Sequence, residues 1–448
     1  MSMRQLLVVW IVALLLGLAA FASWRSHPTA EAAAARTAVH DVPIPVDDVT
    51  GLRIVRPGVD GGPALELDFT RTAAGWRQTN PFEVAADGFA IRQVVLAAAD
   101  LVSTRRHDVD DLEASGGLAR LGLDATATTV ELAWPGGGTT LELGARTVAG
   151  RGWMRVEGAD EVLVVDDTLH QRAIEDDPRN WRSRRLFPAE NEIVEIRIVN
   201  GDDVTTLRRQ GRRWRMQDPV ETRVAGDAID RILAVLGRVE HDGFVADRPS
   251  DPARFGLADP AAIMDVVRDD GTVERLLIGG PAGLVGRGRF AMVEGVPTVL
   301  RLDEPTLRGL LPAVATYIDP TGTGTDPADI RFLQIEATDG RIRLERDLDR
   351  WRISIDDGAA REVSGAQVDV LLSVLTSTNS NEIQLLDFPA SLEVATIVLH
   401  GFDGRPIDAI RVARESGEGR WALENGDGVL RLLPRNTDIP LGRADWNP

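Results

Sequence analysis

Two histidine–aspartate pairs are the residues best equipped for chemistry: His107-Asp108 and His241-Asp242. An imidazole beside a carboxylate can hold a metal or move a proton near neutral pH. The pairs stand 134 residues apart, the same separation as Gly122 and Gly256. That coincidence reads as duplication of a fold, with each histidine at a strand entry just after a helix. These four residues are the metal candidates, although no metal, catalytic residue or other cofactor is expected. The remaining histidines, His27, His40, His170 and His400, form no zinc spacing such as H-E-x-x-H.

Leu277 to Phe290 reads LIGGPAGLVGRGRF. Glycines let a backbone wrap phosphate, but that use needs a strand before and a helix after. Here a second strand follows, as it does at Gly150-Arg151-Gly152-Trp153 and Gly417-Glu418-Gly419-Arg420-Trp421. The reading is a hairpin turn. No G-x-S-x-G is present to build a nucleophile elbow. Arg182, Arg184 and Arg185 form a small basic cluster, read as a solvated junction face, with Arg184 and Arg185 available to an acidic partner.

Missing residue types exclude more. Without cysteine there are no disulfides, no thiolate metal sites and no lipidated anchor. All basic side chains are arginine, so lysine chemistry is absent too. The net charge is −19 and no basic stripe stands out. A nucleic-acid binder needs such a stripe to neutralise phosphates, so none is expected as a partner.

The chain has 448 residues, enough for about three domains at roughly 100–200 residues each. The tryptophans show how it is divided. Trp76, Trp214 and Trp351 stand 138 and 137 residues apart, each at the end of a strand-like run and each followed by arginine. An amphipathic helix comes next in every copy. Its apolar residues are Ile91, Val94, Val95 and Ala98, then Ile229, Ile232, Leu233 and Leu236, then Val368, Leu371, Leu372 and Leu375. That spacing lays one stripe on one helix face. Asp87 and Ser364 are placed to cap two of these helices. Beyond the helix, Gly122-Leu123-Asp124 matches Gly256-Leu257, and strands end at Leu143-Gly144 and Ile278-Gly279. Final strands at Val162–Val165, Val299–Leu302 and Val429–Leu432 close the copies.

The expected fold class is therefore α+β: three repeated modules of mostly antiparallel strands on one long helix. Module one spans 47–188, module two 189–325 and module three, diverged, 326–448. The second junction, Asp319 to Pro327, reads as a Gly/Pro/Thr linker. Residues 26–46 read as a tether. Residues 1–25 carry an uncharged run, Leu6 to Ala22, behind Arg4. A membrane-spanning helix needs about 17–25 apolar residues. The run is read as an uncleaved single-pass anchor rather than a cleaved signal. The body then faces the periplasm or exterior from the cytoplasmic membrane.

The anchor, a strand with Trp then Pro, a helix, a Gly-Leu step and a Leu/Ile-Gly strand end together resemble a bacterial family. It is catalogued as domain of unknown function 4340. Module two carries the fullest set, with Trp214, Pro219, Phe255-Gly256-Leu257, Pro260 and Ile278-Gly279. Module one keeps Trp76, Pro81, Gly122-Leu123-Asp124 and Leu143-Gly144; module three keeps Trp351 and the helix. The resemblance implies an extracytoplasmic partner of an ABC-type transport system. The functional expectation is a noncatalytic membrane-anchored binding or scaffold component of an envelope complex, with protein partners and an oligomeric state left open. The alternative is an envelope enzyme or ligand-binding protein with a site between modules, which an inward-facing polar cluster at a junction would favour.

Overall fold

The computed structural model describes residues 37–40, 43–58, 62–113, 117–147, 149–189, 191–283, 288–386, 388–415 and 419–446. The anchor read at residues 6–22 lies outside them. No helix among the described residues is long and apolar enough to cross a membrane. The chain forms two compact units, the first ending at Ser183 and the second starting at Arg184.

The first unit holds one antiparallel sheet. In chain order its strands are β1 (Thr37–Ala38), β2 (Gly51–Arg56), β3 (Leu65–Thr72), β4 (Gly75–Asn80), β5 (Val84–Ala85), β6 (Val102–Asp108), β7 (Thr128–Trp134), β8 (Gly137–Thr147), β9 (Arg151–Val156) and β10 (Glu161–Asp166). Their order across the sheet is β1-β6-β10-β9-β8-β7-β2-β3-β4-β5. Alternation builds it: Leu67 and Phe69, Val130 and Leu132, and Leu141 and Leu143 point into one core, with more exposed residues between them. The helix Gly88–Ala99 seals that core with Ile91, Val94, Val95 and Ala98, all buried. Burying a Val or Ile contributes about 1.5–3 kcal/mol, set against the entropy of ordering it. Asp87 caps the helix, accepting from the N–H groups of Phe89 at 2.9 Å and Ala90 at 3.2 Å. The expected tether ends sooner than read. Thr37 and Ala38 pair with β6, and Val39 and Ile44 enter the core.

The second unit holds two antiparallel sheets. The first has β11 (Ile193–Asn200), β12 (Asp203–Gln210), β13 (Arg213–Asp218), β14 (Thr222–Arg223), β15 (Gly243–Asp247), β16 (Ala262–Arg268), β17 (Val273–Pro281), β18 (Arg289–Val293) and β19 (Thr298–Leu302). The other has β20 (Phe332–Ala337), β21 (Gly340–Asp347), β22 (Arg350–Ile355), β23 (Arg361–Val363), β24 (Glu382–Leu385), β25 (Glu393–His400), β26 (Pro406–Arg414), β27 (Trp421–Glu424) and β28 (Val429–Leu432). The orders are β14-β13-β12-β11-β16-β17-β18-β19-β15 and β23-β22-β21-β20-β25-β26-β27-β28-β24. Both reproduce the order of β2 to β10. Module three has lost sequence markers yet keeps the topology. Alternating buried residues such as Leu333 and Ile335, Ile342 and Leu344, and Ile397 and Leu399 carry it.

Several local readings change. Each helix runs only three turns: Gly88–Ala99, Gly226–Leu236 and Gly365–Thr376. The tryptophans open a strand instead of ending one; each is the second residue after a hairpin turn. Ser364 takes the cap position without a side-chain bond. Leu143-Gly144 and Ile278-Gly279 are not strand ends. Each marks an irregularity within a longer strand. A Cβ on Gly144 would lie 2.3 Å from the Leu121 carbonyl oxygen, and one on Gly279 equally close to that of Phe255. Leu121 and Phe255 directly precede Gly122 and Gly256, which hold positive φ of 65° and 69°. The two sequence markers are the two sides of one backbone contact.

The segment after Asp319 is not a loose linker. Thr323 is buried and its N–H donates to the Leu375 carbonyl at 2.9 Å, while Asp319 N–H donates to the Arg223 carbonyl. Leu186 and Phe187 belong to the core of the second unit.

Candidate functional site

The two histidine–aspartate pairs meet opposite environments. His107 lies exposed on β6, opposite Val162, with its ring 5.4 Å from that of Trp153. Asp108 accepts the Asp110 N–H at 2.9 Å and so shapes a turn. His241 precedes β15 and is only 4% exposed. Its ring packs edge-on against Phe244 at 4.3 Å, and neither ring nitrogen makes a hydrogen bond of normal geometry. Burial, aided by the Arg184 charge, pushes its pKa down to about 4. Asp242 turns away to Arg301 at 2.6 Å.

Register separates the pairs further. His107 faces Val162, and the residue facing Val299 in module two is Ala246. The shared spacing of 134 therefore does not place the histidines at one site. The four-residue shortening of module two falls after this strand and not before it. Among the described residues, no three His, Asp or Glu side chains gather to hold a metal.

The basic run also divides. Arg182 is buried in the first unit rather than solvated, its guanidinium 4.7 Å from the Phe82 ring and donating to Gln78 at 3.2 Å. Arg185 donates to the Gly237 carbonyl at 2.6 Å in the second unit. The glycine run at 277–290 joins β17 to β18 as a hairpin, with residues 284–287 outside the described set.

One buried histidine was not singled out from sequence. His170 is fully buried; its Nε2 lies 2.9 Å from the Trp153 carbonyl, and burial lowers its pKa. A Cβ on Gly152 would lie 2.3 Å from its ring. The hairpin glycine is thus the space this imidazole fills.

A buried polar constellation lies where modules two and three meet. Arg431 is fully buried, 2.7 Å from Asp427 and 2.9 Å from the Asp319 carbonyl. Thr222, on β14, bridges to Asp427 and accepts from Arg431 at 3.2 Å. Arg223 lies 3.3 Å from Asp319 and 3.9 Å from Asp408, and Thr323 donates to Asp408. Burial alone would raise the Asp427 carboxyl; Arg431, Thr222 and the Val429 N–H hold it below its ordinary value. Burial lowers Arg223, with the neighbouring Arg431 adding to the effect. An inward-facing cluster is therefore present, but its charges satisfy one another. Its chemistry is that of a fastening: no nucleophile and no general base near neutrality stands free within it.

Comparisons with known proteins follow the repeat. The family model described as "Domain of unknown function (DUF4340)" matches residues 76–213 and 214–396. Both matches start at a module tryptophan. No curated protein matches the chain. Among solved structures, a DNA polymerase sliding clamp from Pseudomonas aeruginosa, with ligand, aligns at 9% identity over 88% of this chain and 93% of the clamp. Its TM-score is 0.14, so that likeness carries no argument.

Proposed function

The chain belongs to the family of domain-of-unknown-function 4340 proteins, and from that premise we propose a noncatalytic, membrane-anchored binding scaffold in the cell envelope. The observation that carries this reading is the threefold use of one strand order. What recurs is packing: a tryptophan opening the third strand, a helix stripe and a sheet core. What differs is every titratable group singled out, from exposed His107 to buried His241. Repetition of that kind multiplies surface, which suits a large protein partner.

The uncharged run Leu6–Ala22 supports attachment to the cytoplasmic membrane with the modules outside. The family resemblance makes an ABC-type transport complex the partner class. Crosslinking in native membranes, followed by identification of the captured chains, tests the reading. Recovery of transporter subunits that depends on residues 326–448 is the expected result. A chain released by alkaline washing and captured with no envelope protein would sink it.

A further inference from the structure

Module two departs from its sister copies at the hairpin β12–β13, beside the start of its helix. A cleft of about 760 Å³ opens there. Trp214 forms one wall, and Arg209, Arg212, Arg213, Arg215 and Arg223 line it. Only three carboxylates share the lining: Glu192, Asp230 and Asp319. Glu192 is taken by Arg209 and Asp319 by Arg223. Arg212, Arg213 and Arg215 form no ion pair among the described residues. In a chain of net charge −19, this is a local excess of cations.

Strand register sharpens the anomaly. Arg215 is directly opposite Arg208 on one side and Arg223 on the other. Like charges facing across strands are destabilising. The matching residue in module three, Arg352, stands between Glu345 and Glu362, and in module one Arg77 stands between Thr70 and Ala85. Only in module two does the row consist of three guanidinium groups.

The start of the helix also leaves room beside Trp214, which like Trp76 is only partly buried. A Cβ on Gly88 would meet the Trp76 indole at 3.5 Å, and one on Gly365 would meet Trp351 at 3.9 Å. At Gly226 nothing lies within 4 Å. The residue capping this helix is Ala225, which has no side-chain acceptor for the first N–H groups. Leu233, part of the helix stripe, stays half-buried and lines the cleft instead of closing it.

We propose that this cleft binds a small organic oxyanion, a phosphate or carboxylate compound whose apolar part lies against Trp214 and Leu233. Arginine forks match both oxyanions in two-pronged geometry. An apolar wall with convergent cations is what a site for such a ligand requires. Arg208 has Glu195 and Arg223 has Asp319, so the bound anion supplies the counter-charge that Arg212, Arg213 and Arg215 lack.

The test is calorimetric titration of the full-length protein in detergent, with inorganic pyrophosphate and with citrate. Saturable binding of at least one probe is expected, weakened about tenfold or more in Arg212→Gln/Arg213→Gln. Both arginines are exposed, so the variant should melt at the same temperature as the parent. Displacement by soluble dihexanoyl-phosphatidylglycerol would assign the anion to a lipid headgroup, and failure to displace would assign it to a free solute. No saturable binding of either probe, or equal affinity in the folded double variant, overturns the proposal.

Discussion

Trp214 and Trp351 occupy the same step of the same strand, in sheets of identical order within one compact unit. Trp351 is 5% exposed, with the Arg346 guanidinium 5.0 Å from its ring and Gly365 beneath. Trp214 is half open, facing a cleft ringed by arginine. Beneath both, alternating residues keep the same sheet. The difference teaches that strand order is held by the core pattern, while the layer above the sheet is free to be sealed in one copy and left open in another.

The comparison breaks first on the tryptophans. Trp351→Ala empties a closed site and should cost about 3–5 kcal/mol, whereas Trp214→Ala should cost clearly less because its indole is partly in water. Hydrogen exchange of β21–β22 against β12–β13 amides reads both. Equal losses would show that burial in the two copies is the same.

Acid should separate the modules next. An unfolded chain takes up a proton at His241 near pH 6.5, but the folded site refuses it until about pH 4. The unfolded state binds more protons in that window, so stability is full above it and falls as pH drops from 6.5 toward 4. The loss from this one group approaches about 3 kcal/mol. Module three carries Asn379 to Glu382 in the corresponding stretch and no histidine. Core amides of module two should therefore lose protection before those of module three, and His241→Phe should flatten the pH profile of module two. A profile unchanged by that substitution would remove His241 from the account.

A smaller effect tests the glycine contact. Gly279→Ala forces a methyl against the Phe255 carbonyl and should cost about 1–3 kcal/mol, read by chemical denaturation of the second unit. The smallest concerns the caps. Asp87→Ala should cost the first unit about 1 kcal/mol, while Ser364→Ala should stay within about 0.5 kcal/mol because no bond is lost. Thermal melts of the two variants decide it.

Much of this architecture was legible in sequence because it is local. The helix stripes needed only 3.6-residue periodicity, and Val94, Leu371 and their neighbours are buried as their spacing requires. The repeat was visible because the tryptophans recur at 138 and 137 residues, each followed by arginine. What escaped depended on distant pairing. His107 and His241 looked equivalent by counting, and only the strand register against Val162 and Val299 separates them. Nothing local marks Arg431, whose burial depends on Thr222 and Asp319, more than a hundred residues away. The arginine row is equally silent in sequence, since Arg208, Arg215 and Arg223 become neighbours only across three strands.

The paired glycines have a consequence for inheritance. Gly144 gives way to the Leu121 carbonyl and Gly279 to that of Phe255, so either partner of the contact constrains the other. Drift at one position alone is penalised, whereas loss of both together removes the constraint. Module three lacks the Gly-Leu step and the Ile-Gly pair together, so it is free of that constraint. Across descendants of the ancestral module, the two glycines should behave as one heritable character.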